Sequence, residues 1–253
     1  GAWGAGGSSA PRRKRMRIAL VSRELYPLRA GGIGQYVSAL ATVLSSIAEV
    51  TVLTLAPFEP EYERLRAAGD PRLPPSSVRA AFVAEPSKEE ASGYYHVMHC
   101  YSARTYERLQ ELYPDGGPDV IEFPDFLGEA FVTVQAAAAL DPFLAATRVC
   151  VRAHTTAEMC DVLDGHLDRR LSIEALRAME RYSLRHADAL LWQGGDILAT
   201  YRRFYGAQAL AQPVHIRSPY TGPAQPGVET EYVASEPLRL LYVGRLERRK
   251  GVH

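Results

Sequence analysis

Short apolar runs alternate with helical patterns along most of the chain. The run RIALVS is continuous, apolar and bounded by charge, so it predicts a buried strand. The β-branched run EVTVLTLA predicts a second strand. Between them, GQYVSALATVLSSIA carries apolar residues at helical spacing, and these are Tyr36, Val37, Leu40, Leu44 and Ile47. A strand, a crossover helix and a strand form a right-handed βαβ unit with parallel strands.

The same alternation continues beyond this first unit. Further strands are predicted over VRAAFV, DVIEF, RVCVRAH, DALLWQ and PVHIRSPY. Helices are predicted over YYHVMHCYSARTYERLQELY, GEAFVTVQAAAAL, RRLSIEALRAMERYSLRHA and DILATYRRFYG. The Pro-rich, charged stretch PFEPEYERLRAAGDPRLPPSS is expected to be a surface excursion. Repeated strand–helix pairs of this size predict an α/β fold, with a Rossmann-like, doubly wound parallel sheet covered by helices on both faces.

The amino-acid composition and the apolar periodicity change at both ends of this pattern. The segment GAWGAGGSSAPRRKR is small, flexible and then basic, so residues 1–15 are expected to form a disordered leader. Residues 16–220 are predicted to form one whole domain. The aperiodic, Pro- and Gly-containing residues 221–236 indicate an interdomain linker. Because LRLLYVG then starts a fresh strand, residues 237–253 are expected to open a second domain that is truncated here.

Composition narrows the class of protein. The chain has 253 residues, of which 47% are hydrophobic and 23% charged, and its formal net charge is zero. A balanced charge gives no long-range attraction to nucleic acid or to membranes. No apolar run approaches the roughly 18 residues that a membrane-spanning helix needs. Three sparse cysteines fit a reducing cytosol better than a disulfide-bonded secreted fold, so a cytoplasmic location is expected.

A glycine turn between the first strand and the first helix is the first candidate site. In RAGGIGQYV, Gly31, Gly32 and Gly34 would let backbone N–H groups approach an anion, and the helix dipole adds positive charge there. A loop that needs glycine only for positive φ is the alternative. The spacing is not G-x-G-x-x-G, and the long SRELYPLRA segment disfavours a dinucleotide site. No G-K-[ST] follows, so a P-loop is excluded.

Two further candidates follow predicted strands. In VGRLERRKG, Arg245 and Lys250 flank a short turn, where a guanidinium and an ammonium could neutralise a diphosphate. A solvated basic run is the alternative. His154 follows the run RVCVRA at the expected carboxyl edge of the sheet. A histidine at a strand end can contact a substrate or serve only as a structural hydrogen-bonding group.

Together these three pieces resemble a retaining glycosyltransferase of family 4 with the GT-B fold, from about Met16 to the last residue. The most specific part is VGRLERRKG directly after the linker. DVIEFPDFLGEA is also similar to the family segment DVIHAHDWLGG, from which Glu122 and Phe123 depart. HADALLWQGG resembles the segment RADAVIAVS, with Gln193 and Gly194 near the place of the usual serine.

The resemblance implies a specific activity. A nucleotide-diphosphate sugar would bind between two Rossmann domains, and its sugar would pass to an acceptor on the first domain. Gly31, Gly32 and Gly34 would approach the donor diphosphate, and His154 would hydrogen-bond a hydroxyl of the donor sugar. Arg245 and Lys250 would stabilise the departing diphosphate. Retention by front-face attack would require no carboxylate nucleophile of the first domain. No metal and no cofactor are expected, because the two cations could neutralise the diphosphate.

The family also carries two glutamates, separated by seven residues, in its second domain. No such pair is present in this sequence. The chain is therefore expected to lack a nucleotide pocket and not to transfer sugar at a useful rate by itself.

Three residues are candidates for contact with the acceptor. Asp125 and Glu129 follow the strand DVIEF, and Tyr26 lies in the loop before the glycines. Helix N-capping by Asp125 is the alternative. The group HVMHC invites a metal reading, but it lies in a predicted helix with no fourth ligand at suitable spacing, so no metal site is predicted.

Two other classes of protein remain as alternatives to the enzyme. A non-catalytic sugar or nucleotide-sugar binding module could use the same sheet. A dehydrogenase-like Rossmann protein would retain NAD, which the glycine spacing disfavours. The expected partners are a nucleotide-sugar donor and a sugar, lipid or small-molecule acceptor, with no nucleic acid. The basic leader could touch the inner face of the membrane peripherally.

Overall fold

A single parallel sheet organises the protein in the computed structural model, which describes residues 15–166 and 168–219. Its strands, in chain order, are β1 (Arg17–Val21), β2 (Glu49–Leu55), β3 (Arg79–Val83), β4 (Val120–Pro124), β5 (Arg148–Arg152), β6 (Ala189–Trp192) and β7 (Pro213–His215). They lie in the order β3-β2-β1-β4-β5-β6-β7, and all neighbours are parallel. The strand order reverses at β1 and β4, which is where an open α/β sheet binds its ligands.

Helices connect the strands and cover the sheet. They are α1 (Gly32–Leu44), α2 (Glu59–Ala67), α3 (Lys88–Ala91), α4 (Val97–Leu112), α5 (Phe131–Ala138), α6 (Ala157–Asp164), α7 (Leu171–His186) and α8 (Ile197–Tyr205). The prediction of a doubly wound Rossmann-like sheet is confirmed, because helices pack on both faces.

The two faces of β1 contribute side chains to two different hydrophobic cores. Ala19 and Val21 face a core shared with α4, α5 and α7, whereas Ile18 and Leu20 face a core shared with α1 and α2. Successive side chains of a strand point to opposite faces, so a continuous apolar run is buried on both sides. Each fully buried aliphatic side chain stabilises the fold by about 1.5–3 kcal/mol.

The structure differs from the local expectations in three places. The charged stretch after β2 is not only a surface excursion, since it forms α2, whose Tyr62 and Leu65 are buried. Helix α1 ends at Leu44, so Ile47 lies beyond the helical face and is 70% exposed. Helix α6 was not predicted; Thr156 caps its N-terminus by accepting the N–H of Met159.

The predicted leader, linker and second domain lie outside the residues that the structure describes, except for Arg15 at the edge of the leader. Within the described ranges, no helix has both the length and the apolar content to cross a membrane.

Candidate functional site

The glycine turn lies at the carboxyl edge of β1, where it starts α1. Gly31 is the N-cap residue, and Gly32 and Gly34 belong to the first turn. No positive φ occurs at any of the three, and φ at Gly31 is 179°, so the positive-φ alternative is wrong. Within the described part of the chain, no protein acceptor pairs with the N–H of Gly32 or Ile33. Two donors at the positive end of a 13-residue helix are therefore available to an anion.

Glu24 lies against two of the three glycines, Gly31 and Gly34. A Cβ atom on Gly31 would stand 2.1 Å from the Oε2 atom of Glu24, and one on Gly34 would stand 3.2 Å from the Glu24 backbone. The N–H of Gly34 donates to Glu24 Oε2 at 3.4 Å. A Cβ on Gly32 would meet nothing within 4 Å. The Glu24 carboxylate lies next to Gly31 and Gly34. The side of the turn formed by Gly32 and Ile33 is therefore the one that is open to a ligand.

A buried network lies behind the turn, around Arg152 at the end of β5. The Arg152 guanidinium donates to both carboxylate oxygens of Glu122, from Nε at 2.9 Å and from Nη2 at 3.2 Å. Its Nη1 donates to the carbonyl of Ile216 at 3.2 Å, and its charge lies 4.9 Å from the ring centre of Tyr36. The Tyr36 hydroxyl donates to Glu122 Oε1 at 2.9 Å. The network joins α1, β4, β5 and the segment after β7.

His154 packs on this network. Its ring meets the ring of Tyr36 edge-on, with 5.1 Å between centroids. Burial, with a smaller contribution from the charge of Arg152, lowers the pKa of His154 to about 4. The imidazole is therefore neutral at physiological pH, and it offers one N–H donor and one nitrogen acceptor. It is suited to hydrogen bonding rather than to carrying a positive charge.

The side chains of Asp125 and Glu129 are buried and do not reach the protein surface. Both are 2% exposed. Asp125 accepts the backbone N–H of His154 at 3.1 Å and a short hydrogen bond from Tyr201, while Glu129 accepts the N–H of Arg23 at 3.2 Å. The structure thus corrects the expectation that these carboxylates contact an acceptor. Asp125 does not cap α5 either, since Ala130 is the N-cap residue there.

Burial governs the protonation of these internal carboxyl groups. It raises the pKa of Asp125 to about 6, against the opposing hydrogen bonds from Tyr201 and the backbone. It raises the pKa of Glu129 to about 8, against the charge of Arg23. Glu180 on α7 behaves likewise, with a pKa of about 8, and accepts the N–H groups of Leu127, Ala157 and Glu158. These groups hold the loops that follow β1, β4 and β5.

Tyr26, the third acceptor candidate, is half-buried beside the turn. It lines a groove of about 1,080 Å³ that also contains Gly32 and Tyr36 and continues to the Pro-rich loop after α2. The remaining predicted site residues, Arg245 and Lys250, lie outside the described residues.

The residues HVMHC form the N-terminus of α4. His96 is its N-cap residue, and His96 Nδ1 accepts the N–H of Met98 at 3.1 Å. His99 packs against Tyr95 and Phe131. Across residues 15–166 and 168–219, no three His, Cys, Asp or Glu side chains come together as metal ligands.

Sequence reasoning missed Glu24 and the pairing of Glu122 with Arg152. A signal for the pair was present, because an acid in DVIEF and a base in RVCVRAH interrupt two neighbouring apolar strands. Charges are almost never fully buried without a partner. For Glu24 the sequence carries no such signal, since its contact depends on the path of the loop.

Comparison with known proteins gives one family. The model of the glycosyl transferase 4-like domain matches residues 31–217. Glycogen synthases from two strains of Mycobacterium tuberculosis are each 28% identical to the chain, over 94% of this chain and 56% of the relative. The chain therefore spans little more than half the length of these curated relatives.

Solved structures share the fold at low identity. UGT2 of Phytolacca americana, complexed with UDP-2-fluoro-glucose and pterostilbene, has a TM-score of 0.53 and 12% identity, over 81% of this chain and 54% of that chain. Sucrose-phosphate synthase from Thermosynechococcus elongatus has a TM-score of 0.50 and 16% identity, over 80% of this chain and 48% of that one. The fold class predicted from the sequence is confirmed by these GT-B relatives.

Proposed function

Because the chain belongs to the glycosyl transferase 4-like domain family, we propose that it forms the acceptor-side half of a glycosyltransferase. The enzyme moves a sugar from a nucleotide-diphosphate sugar to a hydroxyl of the acceptor, with retention of configuration and without a metal. The names of the similar proteins suggest the substrates to test first, which are UDP-glucose as donor and an α-glucan as acceptor.

The glycine turn supplies donors for the diphosphate. The free N–H groups of Gly32 and Ile33 point from the positive end of α1, and this geometry favours an anion. The carboxylate of Glu24 repels a second anion from the Gly31–Gly34 side, so the diphosphate is directed to Gly32. Arg245 and Lys250 supply the compensating cations in this proposal, which makes a metal unnecessary.

His154 binds a hydroxyl of the donor sugar. Its neutral imidazole can donate or accept a hydrogen bond, and Tyr36 fixes the ring by edge-on packing. The carboxylates around it are committed to other groups. Glu122 bonds Arg152 and Tyr36, while Asp125 bonds the backbone and Tyr201. Among the described residues, these two carboxylates are therefore not available as the nucleophile of a double displacement, which agrees with front-face attack.

One juxtaposition carries the proposal. Tyr36 lies one helical turn after Gly32 and touches His154, so the glycine turn of β1 and the histidine of β5 share one site. These two features were separate predictions, and His154 comes 120 positions after Gly34 in the sequence. Donor groups for a diphosphate beside a neutral hydrogen-bonding ring are what a nucleotide-sugar site requires.

The test is transfer by the full-length protein. UDP release from UDP-glucose is measured with and without glycogen, for the wild type, His154→Ala and His186→Ala. His154→Ala should lower kcat about 100-fold, because its hydrogen bond strengthens as charge develops on the donor. His186, at the exposed end of α7, is the matched control and should leave kcat unchanged.

Two results would count against the enzyme. If His154→Ala has the same kcat as the wild type, His154 does not contact the donor sugar. Binding of UDP-glucose with no UDP release in the presence of glycogen or water would favour the sugar-binding module. We propose the cytoplasm as the location, because the sequence contains only three cysteines in 253 residues.

A further inference from the structure

A pocket of about 220 Å³ lies at the amino edge of the sheet, the edge opposite the glycine turn. Its lining includes Arg17, Glu49 and Arg79, which are the first residues of β1, β2 and β3, together with Arg15 and Tyr113. Strand β1 has five residues with a rise of about 3.3 Å each, so roughly 16 Å of strand separates this pocket from the loop that leads to the turn. The pocket is therefore distinct from the site proposed for the donor.

The register of the sheet places the charged strand residues of this pocket on one face. Arg17 is paired with Glu49 across β1 and β2, and Thr51 is paired with Arg79 across β2 and β3. Paired positions of parallel strands share a face of the sheet, and so do positions two apart on one strand. Arg17, Glu49 and Arg79 therefore share the face that α4 covers, where Tyr113 is the C-cap residue of that helix.

Backbone carbonyls hold two of the guanidinium groups in place. Nη2 of Arg17 donates to the carbonyl of Gly117 at 2.7 Å, and the guanidinium lies 5.5 Å from the ring centre of Tyr113. Nη2 of Arg15 donates to the carbonyls of two residues just after α1, at 2.8 and 3.3 Å. Within the described ranges, no protein acceptor pairs with Nη1 of either arginine or with the guanidinium of Arg79. Because a guanidinium carries five N–H donors, all three arginines retain donors for a ligand.

The described lining carries an excess of two positive charges. Across residues 15–166 and 168–219, no carboxylate lies within ion-pair distance of Arg15, Arg17 or Arg79. Among the described lining residues Glu49 is the acid, and it is exposed. Asp119 accepts the backbone N–H of Arg17 at 2.6 Å and does not line the pocket. Three cations against one anion leave a charge that a phosphate dianion would balance.

We propose that this pocket binds the phosphate monoester group of a small metabolite or of a lipid headgroup, independently of sugar transfer. The guanidinium groups of Arg15, Arg17 and Arg79 bond the phosphate oxygens, since planar N–H donors match that geometry. The volume lies below the roughly 300 Å³ at which sites for whole drug-sized ligands begin. The pocket therefore holds the phosphate group, and the rest of the ligand stays outside it.

The test is a titration of the full chain with inorganic phosphate at constant ionic strength, followed by backbone NMR. The amide signals of Arg17 and Val50 report this pocket, and the amide signal of Gly32 reports the glycine turn. Arg79→Gln should weaken the binding seen at Arg17 and Val50 about 10-fold, because a charge-assisted hydrogen bond is lost. Arg148→Gln is the matched control, since it makes the same charge change at the start of β5, outside the pocket, and should leave this binding unchanged.

A second variant predicts a gain of affinity, which unfolding cannot produce. Glu49→Gln removes the acid that repels the phosphate, so binding at Arg17 and Val50 should tighten about 2- to 5-fold. Wild-type affinity in both Arg79→Gln and Glu49→Gln would overturn the proposal. So would a titration in which the signals of Arg17 and Val50 show no saturable shift.

Vesicles distinguish the two sources of the phosphate group. In the sequence, two arginines and a lysine at positions 12–14 precede Arg15, and such basic runs favour anionic lipid surfaces. A lipid headgroup is the source if cosedimentation with vesicles of phosphatidylcholine and phosphatidic acid falls in Arg79→Gln and rises in Glu49→Gln. A small metabolite is the source if only phosphate binding responds to the two variants. Vesicle binding that ignores both variants, with no response of phosphate binding either, assigns the attraction to the basic run and overturns the pocket.

Discussion

Arg152 and Glu122 form the most consequential side-chain pair in the site. The guanidinium is 1% exposed and the carboxylate is 11% exposed, so each would carry a desolvation cost without the other. Glu122 is a departure from the family segment that the sequence resembles, and Arg152 on the neighbouring strand compensates its charge. The pair also orients Tyr36, which packs on His154.

The first prediction concerns the charge near His154. Arg152→Met removes a cation and leaves Glu122 uncompensated, so the pKa of His154 should rise from about 4 toward its ordinary value. NMR titration of the His154 ring measures the midpoint. Arg148→Met, at the exposed start of the same strand, is the control and should leave it unchanged.

Because Arg152→Met alone could unfold the protein, the same titration is repeated on a double variant. Breaking a buried ion pair from one side costs about 3–5 kcal/mol, whereas Glu122→Gln with Arg152→Met removes both charges of the pair. The double variant should show a smaller rise in the His154 pKa, because it lacks the uncompensated Glu122 carboxylate that favours the charged imidazole in the single variant. An unchanged midpoint in both variants would contradict the role assigned to Arg152.

The ends of strands and helices form the candidate site. At the start of α1, the neighbouring backbone limits which positions can carry a side chain. Gly32 and Gly34 are two residues apart in one helical turn, yet a Cβ would meet nothing at the first and the Glu24–Leu25 backbone at 3.2 Å at the second. Backbone moves less easily than the end of a side chain, so the second contact is harder to relieve.

The second prediction compares these two glycines. Gly34→Ala should be less stable than Gly32→Ala by about 1–2 kcal/mol, the cost of overpacking. Urea unfolding of both variants and the wild type measures the difference. Equal stability would mean that the loop after β1 yields freely to the new methyl group.

The third prediction tests how α7 holds its neighbours. Glu180→Ala removes the acceptor of three N–H groups, from Leu127, Ala157 and Glu158. The free energy of unfolding should fall by about 3 kcal/mol or more. Glu174→Ala on the same helix is the control, because Glu174 makes only a partly exposed pair with Arg177 and should cost under about 1 kcal/mol.

The molecule as a whole carries buried acids at its carboxyl edge, and they set how stability depends on pH. Burial raises the pKa of Glu129 and of Glu180 to about 8. Between the unfolded pKa near 4.5 and pH 8 the folded state holds protons that the unfolded state has released. Stability from these groups is therefore complete below about pH 4.5 and is lost as the pH rises through 8.

The fourth prediction uses a window where histidines do not interfere. Burial lowers the pKa of His154, which makes stability rise with pH, but only below about pH 6.5. Between pH 7 and 8 the free energy of unfolding should fall, by up to about 1.4 kcal/mol per pH unit for each acid. Urea unfolding at both pH values measures the slope, and Glu129→Gln should reduce it. A slope that is flat or positive would contradict the raised pKa values.

The prediction of the site from sequence was strongest for features tied to strand order. His154 follows a strand directly and the glycine turn starts the helix that follows β1, so parallel topology places both at the carboxyl edge. It was weakest for side-chain direction, because Asp125 and Glu129 lie at the same edge but turn inward. The path of a loop decides whether such a group meets solvent or backbone N–H, and local pattern does not encode that path.

The sequence by itself determined the seven strands, the main helices between them, the doubly wound sheet and the edge where the site lies. Apolar periodicity and parallel crossovers are local or topological rules, so they can be read without coordinates. Only the tertiary structure decided that Glu24 rests on Gly31, that Arg152 neutralises Glu122, and that Arg17 and Arg79 share a pocket. These contacts join residues from different elements, and their energies depend on distance and burial, which exist only in the folded chain.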